Sequence, residues 1–565
     1  MEHRIIFATS NQGKMREIRE ILKGLGTEIL SMKEAGVQAD IVEDGDTFEA
    51  NAVIKAKAVW EEAGGIVLAD DSGLEVDALG GEPGVYSARY MGEKTSYEIK
   101  NWNLIHRLAE VPEEKRTARF VCVIAAALPD GRVLTPRGTM EGRIAYEPAG
   151  AGGFGYDPIL MLPEYGKTSA EITMEEKYFS KAARNYPPSG IRKMFDLAAQ
   201  YPDAIKLTVG EPNFDTPAYI KEAAKKAMDA GETHYTPNAG MTVLRQAVAE
   251  KYQKAYWGGY TADHVMVTVG AMEGLMLTMM LLLDPGDEIL VPDPCFPNYY
   301  GQASLTGACA KPVPTYEDND YRMMAADIEK CITPHTKALL LNSPCNPTGA
   351  VLTREDVLAI AEVVKKHDLW VLSDEPYDSI VYDGVTPFSI TQVPEVRDRV
   401  FVLNSFSKSY AMTGWRVGYV IAPDAACVKK MAQMNEAIAS CVSSFSQVAA
   451  AEALKSTACV EQMVGDYTRR RDILIDGINA IPGFSCKKSA GSFYAFANIK
   501  AFGKTSQEFA EELVVNAGVV TVPGSAFGAC GEGYLRLVFA NSDENLKEAV
   551  RRMDEYVRKA YPDMK

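Results

Sequence analysis

Two α/β domains in tandem, the second divided into a larger and a smaller part, are the fold class this sequence predicts. Short β-branched runs alternate with longer helical patterns along almost the whole chain. Its 565 residues exceed severalfold a usual domain of roughly 100–200 residues, so three or more compact units are expected. A Tyr186-Pro187-Pro188-Ser189-Gly190 segment interrupts the pattern, because Pro excludes helix and Gly relaxes the backbone. The boundary is expected within a few residues of Tyr178, giving domains over residues 1–178 and 179–565. The smaller part of the second should begin near Ser485 and include the first segment of that half.

Taken in order, Arg4 to Ala8 reads as a strand that runs into polar Thr9-Ser10-Asn11-Gln12-Gly13-Lys14, after which Met15, Ile18, Ile21 and Leu22 recur at helical spacing. A helix from Phe48 to Glu62 follows, then strands at Ile66 to Ala69 and Ala118 to Ala127, and a Gly-rich loop at Gly150 to Gly155. This half is predicted to be mixed α/β. From Ile191, long helices alternate with strands at Val265 to Val269, Glu288 to Val291, Ala338 to Leu341, Trp370 to Ser373 and Val400 to Leu403. Apolar runs of this kind between helices imply a mostly parallel sheet covered on both faces. The smaller part carries strand signals at Ser492 to Ala497 and Tyr534 to Phe539.

A hydrophobic fraction of 47% with 24% charged residues is that of an ordinary globular protein. The formal charge of −17 works against a nucleic acid polymer as partner, since such affinity comes from clustered Lys and Arg. Ten cysteines without CxxC pairs or His clusters argue for reduced thiols, no structural zinc and a cytoplasmic protein. The opening residues carry no secretory apolar core. The longest apolar run, Leu275 to Leu283, is far short of the roughly 20 residues that span a bilayer, so no membrane segment is expected.

The most specific motif is Ser405-Phe406-Ser407-Lys408, followed by Tyr410-Ala411-Met412-Thr413-Gly414-Trp415-Arg416. A lysine after a strand is ordinarily a solvated charge, but here the serines and Arg416 can bind a dianionic phosphate while Lys408 reaches an aldehyde. Such an amine must be partly desolvated or lie near other cations to lower its pKa. Asp374, in Leu372-Ser373-Asp374-Glu375-Pro376-Tyr377, ends an apolar strand, where a carboxylate can pair with a pyridine nitrogen and make the ring an electron sink. Tyr377, and Asn346 in Asn342-Ser343-Pro344-Cys345-Asn346-Pro347-Thr348-Gly349, can hydrogen-bond that ring's phenolic oxygen. Gly270-Ala271-Met272-Glu273-Gly274 opens a helix whose backbone N–H groups suit a phosphate.

Together with Gly210-Glu211-Pro212, His234-Tyr235-Thr236-Pro237, Asp293-Pro294-Cys295-Phe296 and Arg536, these segments resemble class I/II aminotransferases of fold type I over roughly 380 residues. The resemblance implies pyridoxal 5′-phosphate as cofactor, with Lys408 as its Schiff-base lysine and proton shuttle. It implies Asp374 on the pyridine nitrogen, Tyr377 and Asn346 on the phenolic oxygen, and Phe296 stacked on the ring. Ser405, Arg416 and the backbone of Gly270, Ala271 and Met272 would hold the phosphate, with Tyr235 contributed by the neighbouring subunit of a homodimer. Arg536 would bind the substrate α-carboxylate bidentately, close to Gly210. The subgroup resembled is the prokaryotic aspartate and aromatic-amino-acid aminotransferases, acting on an amino acid and a 2-oxo acid. A C–S β-lyase or a decarboxylase on the same scaffold is the alternative.

In the first half, Thr9-Ser10-Asn11-x-x-Lys14 gathers hydroxyls, an amide, a cation and free backbone N–H groups, which can cradle a triphosphate or simply cap a helix. Ala69-Asp70-Asp71-Ser72-Gly73-Leu74 sets adjacent carboxylates after a strand, where one can ligate Mg²⁺ or activate water, with Glu43 able to share the metal. Gly152-Gly153-Phe154-Gly155-Tyr156-Asp157-Pro158 offers two aromatics to a base. With Thr47-Phe48-x-x-Asn51-Ala52 and Gly84-Val85-Tyr86-Ser87-Ala88-Arg89-Tyr90, these segments resemble the house-cleaning pyrophosphatases that act on inosine and xanthosine triphosphates, from Arg4 to about Lys177. The resemblance implies Asp71 as proton acceptor for water, Glu43 and Asp71 as Mg²⁺ ligands, and Thr9, Ser10, Asn11, Lys14 and Lys55 as phosphate contacts. Ser72, Phe154, Gly155, Tyr156, Asp157 and Lys177 would meet the purine nucleotide.

The chain departs from that family after Glu175-Glu176-Lys177. Where the family has a Ser-His-Arg motif that reads the purine 6-oxo group, this sequence has Lys181, Ala182 and Ala183, with Lys181 or Arg184 as candidate substitutes. Weakened or unselective hydrolysis is expected. The alternative is a non-catalytic module that stabilises the aminotransferase dimer. Met174 could also begin a free-standing aminotransferase.

Overall fold

The computed structural model describes residues 4–9, 14–15, 18–19, 22, 27–39, 41–173, 176, 178–184, 186–187 and 190–564. Two compact units result, Met1–Ser180 and Lys181–Lys565. Ser10, Asn11 and Lys177 lie outside the described residues.

The first unit is built on an 8-stranded sheet in the order Glu28–Ser31, Arg4–Phe7, Ile66–Val76, Thr117–Ala127, Arg137–Ile144, Leu160–Leu162 and Lys167–Thr168, with Val133–Leu134 also paired to Thr117–Ala127. Arg4–Phe7 is parallel to both of its neighbours and the remaining pairs are antiparallel. Helix Phe48–Ala63 covers this sheet. Its start is fixed by the Thr47 hydroxyl, which accepts from Ala50 N, and Phe48, Ala52, Ala56 and Val59 are buried at helical spacing beside Val67, Ala69, Val121 and Val123. Arg116 is 1% exposed and its guanidinium donates to the carbonyls of Ile144, Leu108 and Ala145 at 2.9, 2.6 and 2.8 Å, tying the Gly-rich half to the sheet.

One expectation is corrected here. The strand expected to end at Ala69 runs on to Val76, because Thr117–Ala127 offers an unbroken partner with Asp70 opposite Ile124 and Asp71 opposite Val123. The acidic pair therefore lies inside a strand and not after it. Successive side chains then point to opposite faces of the sheet.

The second unit contains a 7-stranded sheet in the order Val265–Thr268, Gly418–Ile421, Val400–Ser405, Trp370–Asp374, Thr336–Asn342, Glu288–Asp293 and Cys309–Pro314. All its pairings are parallel except those of Gly418–Ile421. A second sheet of four strands joins Ser485–Cys486, Tyr494–Asn498, Tyr534–Val538 and Val522–Pro523. The first segment of the unit joins this smaller part: Ile205–Lys206 pairs with Val519–Val520, and Met194, Ala198 and Leu207 enter its core. Tyr467, Leu474, Ile475 and Ile478 of helix Ala458–Asn479 enter it too, so the smaller core begins before Ser485.

Strand direction places the chemistry. Asn342, Asp374 and Ser405 all end strands on the carboxyl edge of the large sheet, with Asn342 beside Asp374 in register. That edge is where open parallel sheets bind ligands. Helix Gly270–Leu282 opens against Gly418, where an added Cβ would lie 2.5 Å from the Gly270 carbonyl carbon and 2.6 Å from Ala271 N. Gly418→Ala is therefore expected to destabilise the unit by about 1–3 kcal/mol through overpacking, read as a lower urea midpoint at unchanged denaturant slope.

Candidate functional site

Lys408 sits in the turn that follows strand Val400–Ser405, half-buried, with its amine donating to the Gly210 carbonyl. Burial lowers its pKa to about 8, Arg536 and Arg416 push the same way, and Glu211 and Asp374 oppose them. Gly210 has no room for a side chain, since a Cβ would come 2.2 Å from the Tyr494 hydroxyl. Close approach of backbone to amine is thus a property of glycine at that position.

Asp374 is 4% exposed. Its Oδ2 accepts from the Tyr299 hydroxyl at 2.5 Å, its backbone carbonyl accepts from Asn342 Nδ2 at 3.0 Å, and its Oδ1 is buried without a hydrogen-bond partner. Burial pushes the carboxyl up to about 6 against the pull of Tyr299 and Lys408. Tyr377 donates to or accepts from Tyr494 at 2.7 Å, and burial holds it well above the ordinary phenol range, so it stays a neutral phenol. Lys408 Nζ lies 6.0 Å from the Tyr377 ring centre.

Arg536, in strand Tyr534–Val538 of the smaller sheet, is 3% exposed. It donates to Asn346 Oδ1 at 3.0 Å and to the Thr208 carbonyl at 2.6 Å, between the rings of Tyr494 and Phe527 at 4.7 and 4.6 Å. Its Nε is buried and unpartnered. A guanidinium with free donors and no carboxylate partner is an anion site. Asn346 itself is held by its N–H donating to Asn342 Oδ1 at 2.9 Å.

Gly270 has φ +70° and its Cα faces the Arg416 guanidinium, which a Cβ would meet at 2.6 Å. Arg416, exposed, donates to the Thr413 carbonyl at 3.1 Å. Together with Ala271, Met272 and Ser405 they border the start of helix Gly270–Leu282, where backbone N–H groups and a cation suit a phosphate. The Phe296 ring packs edge-on to Tyr299 at 5.7 Å. Tyr235 stands apart, 92% exposed.

In the first unit, Lys55 Nζ lies 3.2 Å from Glu43 Oε2 and 3.3 Å from Asp71 Oδ1, so these two carboxylates converge on one cation. Burial raises the Asp71 carboxyl, with Lys55 and Asn51 pulling it back. On the opposite face of the strand, Lys14 is 2.5 Å from Asp70 Oδ2 and 3.5 Å from Ser72 Oγ. Among the described residues no group of three or more His, Cys, Asp or Glu has metal-holding geometry. Two of the expected nucleotide contacts are occupied by the fold. Tyr156 is 4% exposed, with its hydroxyl on the Ser87 carbonyl at 2.8 Å; Asp157 accepts from Phe154 N and Ser169 Oγ at 2.7 Å each. Phe154 is open, 69% exposed. Thr9 is described and half-buried.

Sequence reasoning missed Tyr299, Tyr494, Asn342 and Thr208, which complete the shell around Asp374, Tyr377 and Arg536. Tyr299 was within reach, one helical turn after Phe296. Asn342 stands in the same motif as Asn346, whereas Tyr494 and Thr208 carry no local signal, because their partners are distant in sequence.

The family model for aminotransferase class I and II matches residues 202–553, and that of the Ham1 family matches residues 5–181. The chain is 45% identical over 377 residues to aromatic-amino-acid aminotransferase 2 of Thermococcus litoralis, covering 66% of this chain and 96% of that one. It is 44% identical over 377 residues to the aspartate aminotransferase of Pyrococcus abyssi, with the same coverage. The solved aromatic aminotransferase of Pyrococcus horikoshii matches with TM-score 0.62 and 41% identity over 65% of this chain and 99% of that chain. With the carboxyl-edge site and these matches in hand, the chain belongs to the class I and II aminotransferases, pyridoxal-phosphate enzymes of fold type I, and carries a Ham1 family domain ahead of that unit.

Proposed function

We propose that Lys408 carries pyridoxal phosphate and that the second unit moves an amino group between an L-amino acid of the aspartate or aromatic type and a 2-oxo acid. The observation that carries this is the pair of buried, unpartnered atoms around Lys408, Asp374 Oδ1 and Arg536 Nε. A protonated pyridine nitrogen satisfies the first and a substrate carboxylate the second, so the residues fit the cofactor. When bound, pyridoxal phosphate supplies an electron sink for the pair released as a Cα–H bond breaks. Asp374 holds the proton on the ring nitrogen. Tyr377 and Asn346 donate toward the phenolic oxygen, while Ser405, Arg416 and the Gly270, Ala271 and Met272 backbone anchor the phosphate. Lys408, its amine lowered by burial to about 8, takes the Cα proton and returns it. Arg536 orients the α-carboxylate with two parallel hydrogen bonds. The similarity to aspartate and aromatic-amino-acid enzymes supports the substrate group.

We read the assembly as a homodimer, since Tyr235, 92% exposed, is suited to a neighbour's site. Scattered cysteines without CxxC pairs suit a reducing compartment, the cytoplasm. Among the described residues no helix is long and apolar enough to cross a membrane.

For the first unit we infer hydrolysis of purine nucleoside triphosphates to monophosphate and pyrophosphate. Glu43 and Asp71, already convergent on Lys55, would hold Mg²⁺, which would offset the charge developing on the phosphates. Asp71 accepts the proton of the attacking water, and Lys55 meets the phosphates.

Four outcomes test these readings. The neutral Lys408 amine is the reactive form, so uptake of pyridoxal phosphate by cofactor-stripped protein should quicken with pH and level off above about 8. An ordinary lysine would keep quickening toward 10.5. Lys408→Ala should abolish transamination, and turnover retained by it refutes the assignment. If Tyr235 serves the neighbouring site, Tyr235→Ala and Lys408→Ala proteins should each be impaired alone and regain activity when refolded together as mixed dimers. Magnesium-dependent release of pyrophosphate from inosine triphosphate should vanish in Asp71→Ala; no release from the unmodified protein at high concentration would leave the first unit a non-catalytic module.

A further inference from the structure

One polar cluster beside the cofactor site, with Asn404 buried and the Lys251–Asp378 pair half-buried, takes no part in the chemistry above. Asn404 is 1% exposed and immediately precedes Ser405. Its Oδ1 accepts from Ser405 N at 2.7 Å, and its Nδ2 donates to Asp378 Oδ2 at 3.0 Å. The same Oδ2 accepts from Lys251 Nζ at 2.7 Å, and Asp378 Oδ1 accepts from Ser379 Oγ at 2.9 Å. Tyr252 and Tyr419 close the cluster: the Tyr252 hydroxyl is 3.4 Å from Asn404 Nδ2, and the Tyr419 hydroxyl is 3.5 Å from Lys251 Nζ.

Its energetics argue against a role in stability alone. A half-buried ion pair such as Lys251–Asp378, whose side chains are 27% and 7% exposed, seldom outperforms apolar side chains of the same volume, because desolvating the charges offsets their attraction. What this pair does have is connectivity. Asp378 follows Tyr377 directly, and Asn404 leads through Ser405 into the turn that carries Lys408, three residues on. Lys251 belongs to helix Thr242–Ala255, which packs outside the sheet. A single carboxylate therefore joins three chain segments, two of which end on opposite contacts of the proposed cofactor site.

We propose that Asn404, Asp378 and Lys251 are positioning residues, a polar staple that fixes the Lys408 turn against the Tyr377 loop so that amine, phosphate contacts and phenol are held in one geometry before the cofactor arrives. This rests on the reading of Lys408 as the cofactor lysine. The Asn404 side chain sets the backbone at Ser405 by accepting its N–H, and Asp378 sets Asn404 by accepting its amide hydrogen. Misplacement of a reacting group by about 1 Å costs on the order of a hundredfold in rate, so loosening the staple should be felt in turnover more than in substrate binding.

The test compares two variants with the unmodified protein. Asn404→Ala cuts the link to the Lys408 turn and leaves the ion pair intact. Lys251→Met/Asp378→Leu replaces the ion pair by apolar groups of similar volume. Both are expected to keep the far-UV circular dichroism of the parent. Each should bind pyridoxal phosphate roughly tenfold more weakly, lose roughly ten- to a hundredfold in kcat with KM for the amino acid within about twofold, and show an altered visible circular dichroism of the bound cofactor. That last signal reports ring orientation, which a purely structural role would leave unchanged. Folded variants with parental cofactor affinity, visible spectrum and kcat overturn the proposal. Failure of both variants to fold overturns it as well, by making the cluster a structural part of the sheet. Lys408→Ala run alongside separates the two levels: if it is inactive while the staple variants behave as the parent, only the positioning role falls.

Discussion

Asp374 is a carboxylate at the end of a strand in the middle of a seven-stranded sheet, with one oxygen answered by Tyr299 and the other by nothing among the described residues. Leaving a buried charge incompletely paired costs several kcal/mol, and a sheet interior gives it no route to water. The surroundings of Asp374 are therefore arranged for a cationic group that arrives from outside the chain. Asn342 fixes the backbone at Asp374, Tyr299 fixes the side chain, and Asn342 in turn holds Asn346 through its N–H. One constraint thus orders the ends of two adjacent strands.

The charges around Lys408 follow from the same burial. Desolvation lowers the amine, and two arginines from different parts of the unit reinforce it, Arg416 from the large sheet's turn and Arg536 from the smaller sheet. Arg536 is buried between two aromatic rings with its two terminal nitrogens partly committed to Asn346 and Thr208. Its planar fork is thereby oriented before any carboxylate binds, which reduces the entropy lost on binding. A lysine at this position would supply the charge without the orientation.

The parts of this site that could be read from the sequence are those whose meaning is local. Lys408 with its flanking serines, Asp374 at the end of an apolar run, and Asn346 before Pro347 each combine a chemical type with a position at a strand end. Tyr494 and Thr208 could not be found that way: Tyr494 meets Tyr377 across 117 residues and Thr208 meets Arg536 across 328. The helices and strands were legible for a similar reason, because periodicity is local, whereas Gly418–Ile421 and Cys309–Pro314 were overlooked. The error at Asp70 and Asp71 is instructive. Asp-Asp-Ser-Gly has the composition of a turn, yet a long partner strand in register overrode that preference and kept the pair extended. An aromatic in a Gly-rich loop can equally well face inward, and the Tyr156 hydroxyl donates to the Ser87 carbonyl.

The first unit raises a question of which property is lost when a motif is lost. Lys55 and Asp71 are held by a helix and a strand that share one hydrophobic core, and Glu43 lies in the segment just before that helix, all far in sequence from the end of the Ham1 match at residue 181. Their geometry does not depend on the residues that replace the Ser-His-Arg motif. On the proposed reading, hydrolysis of the α-phosphate would draw on a metal, the attacking water and the phosphate contacts, whereas discrimination among bases would draw on hydrogen bonds to the base itself. A site that fails to pair a base's polar edge loses its power to reject the wrong one, since rejection comes from leaving buried groups unpaired. On these grounds selectivity should fall before rate does, and the nucleotides admitted should be those that share a triphosphate rather than those that share a 6-oxo group.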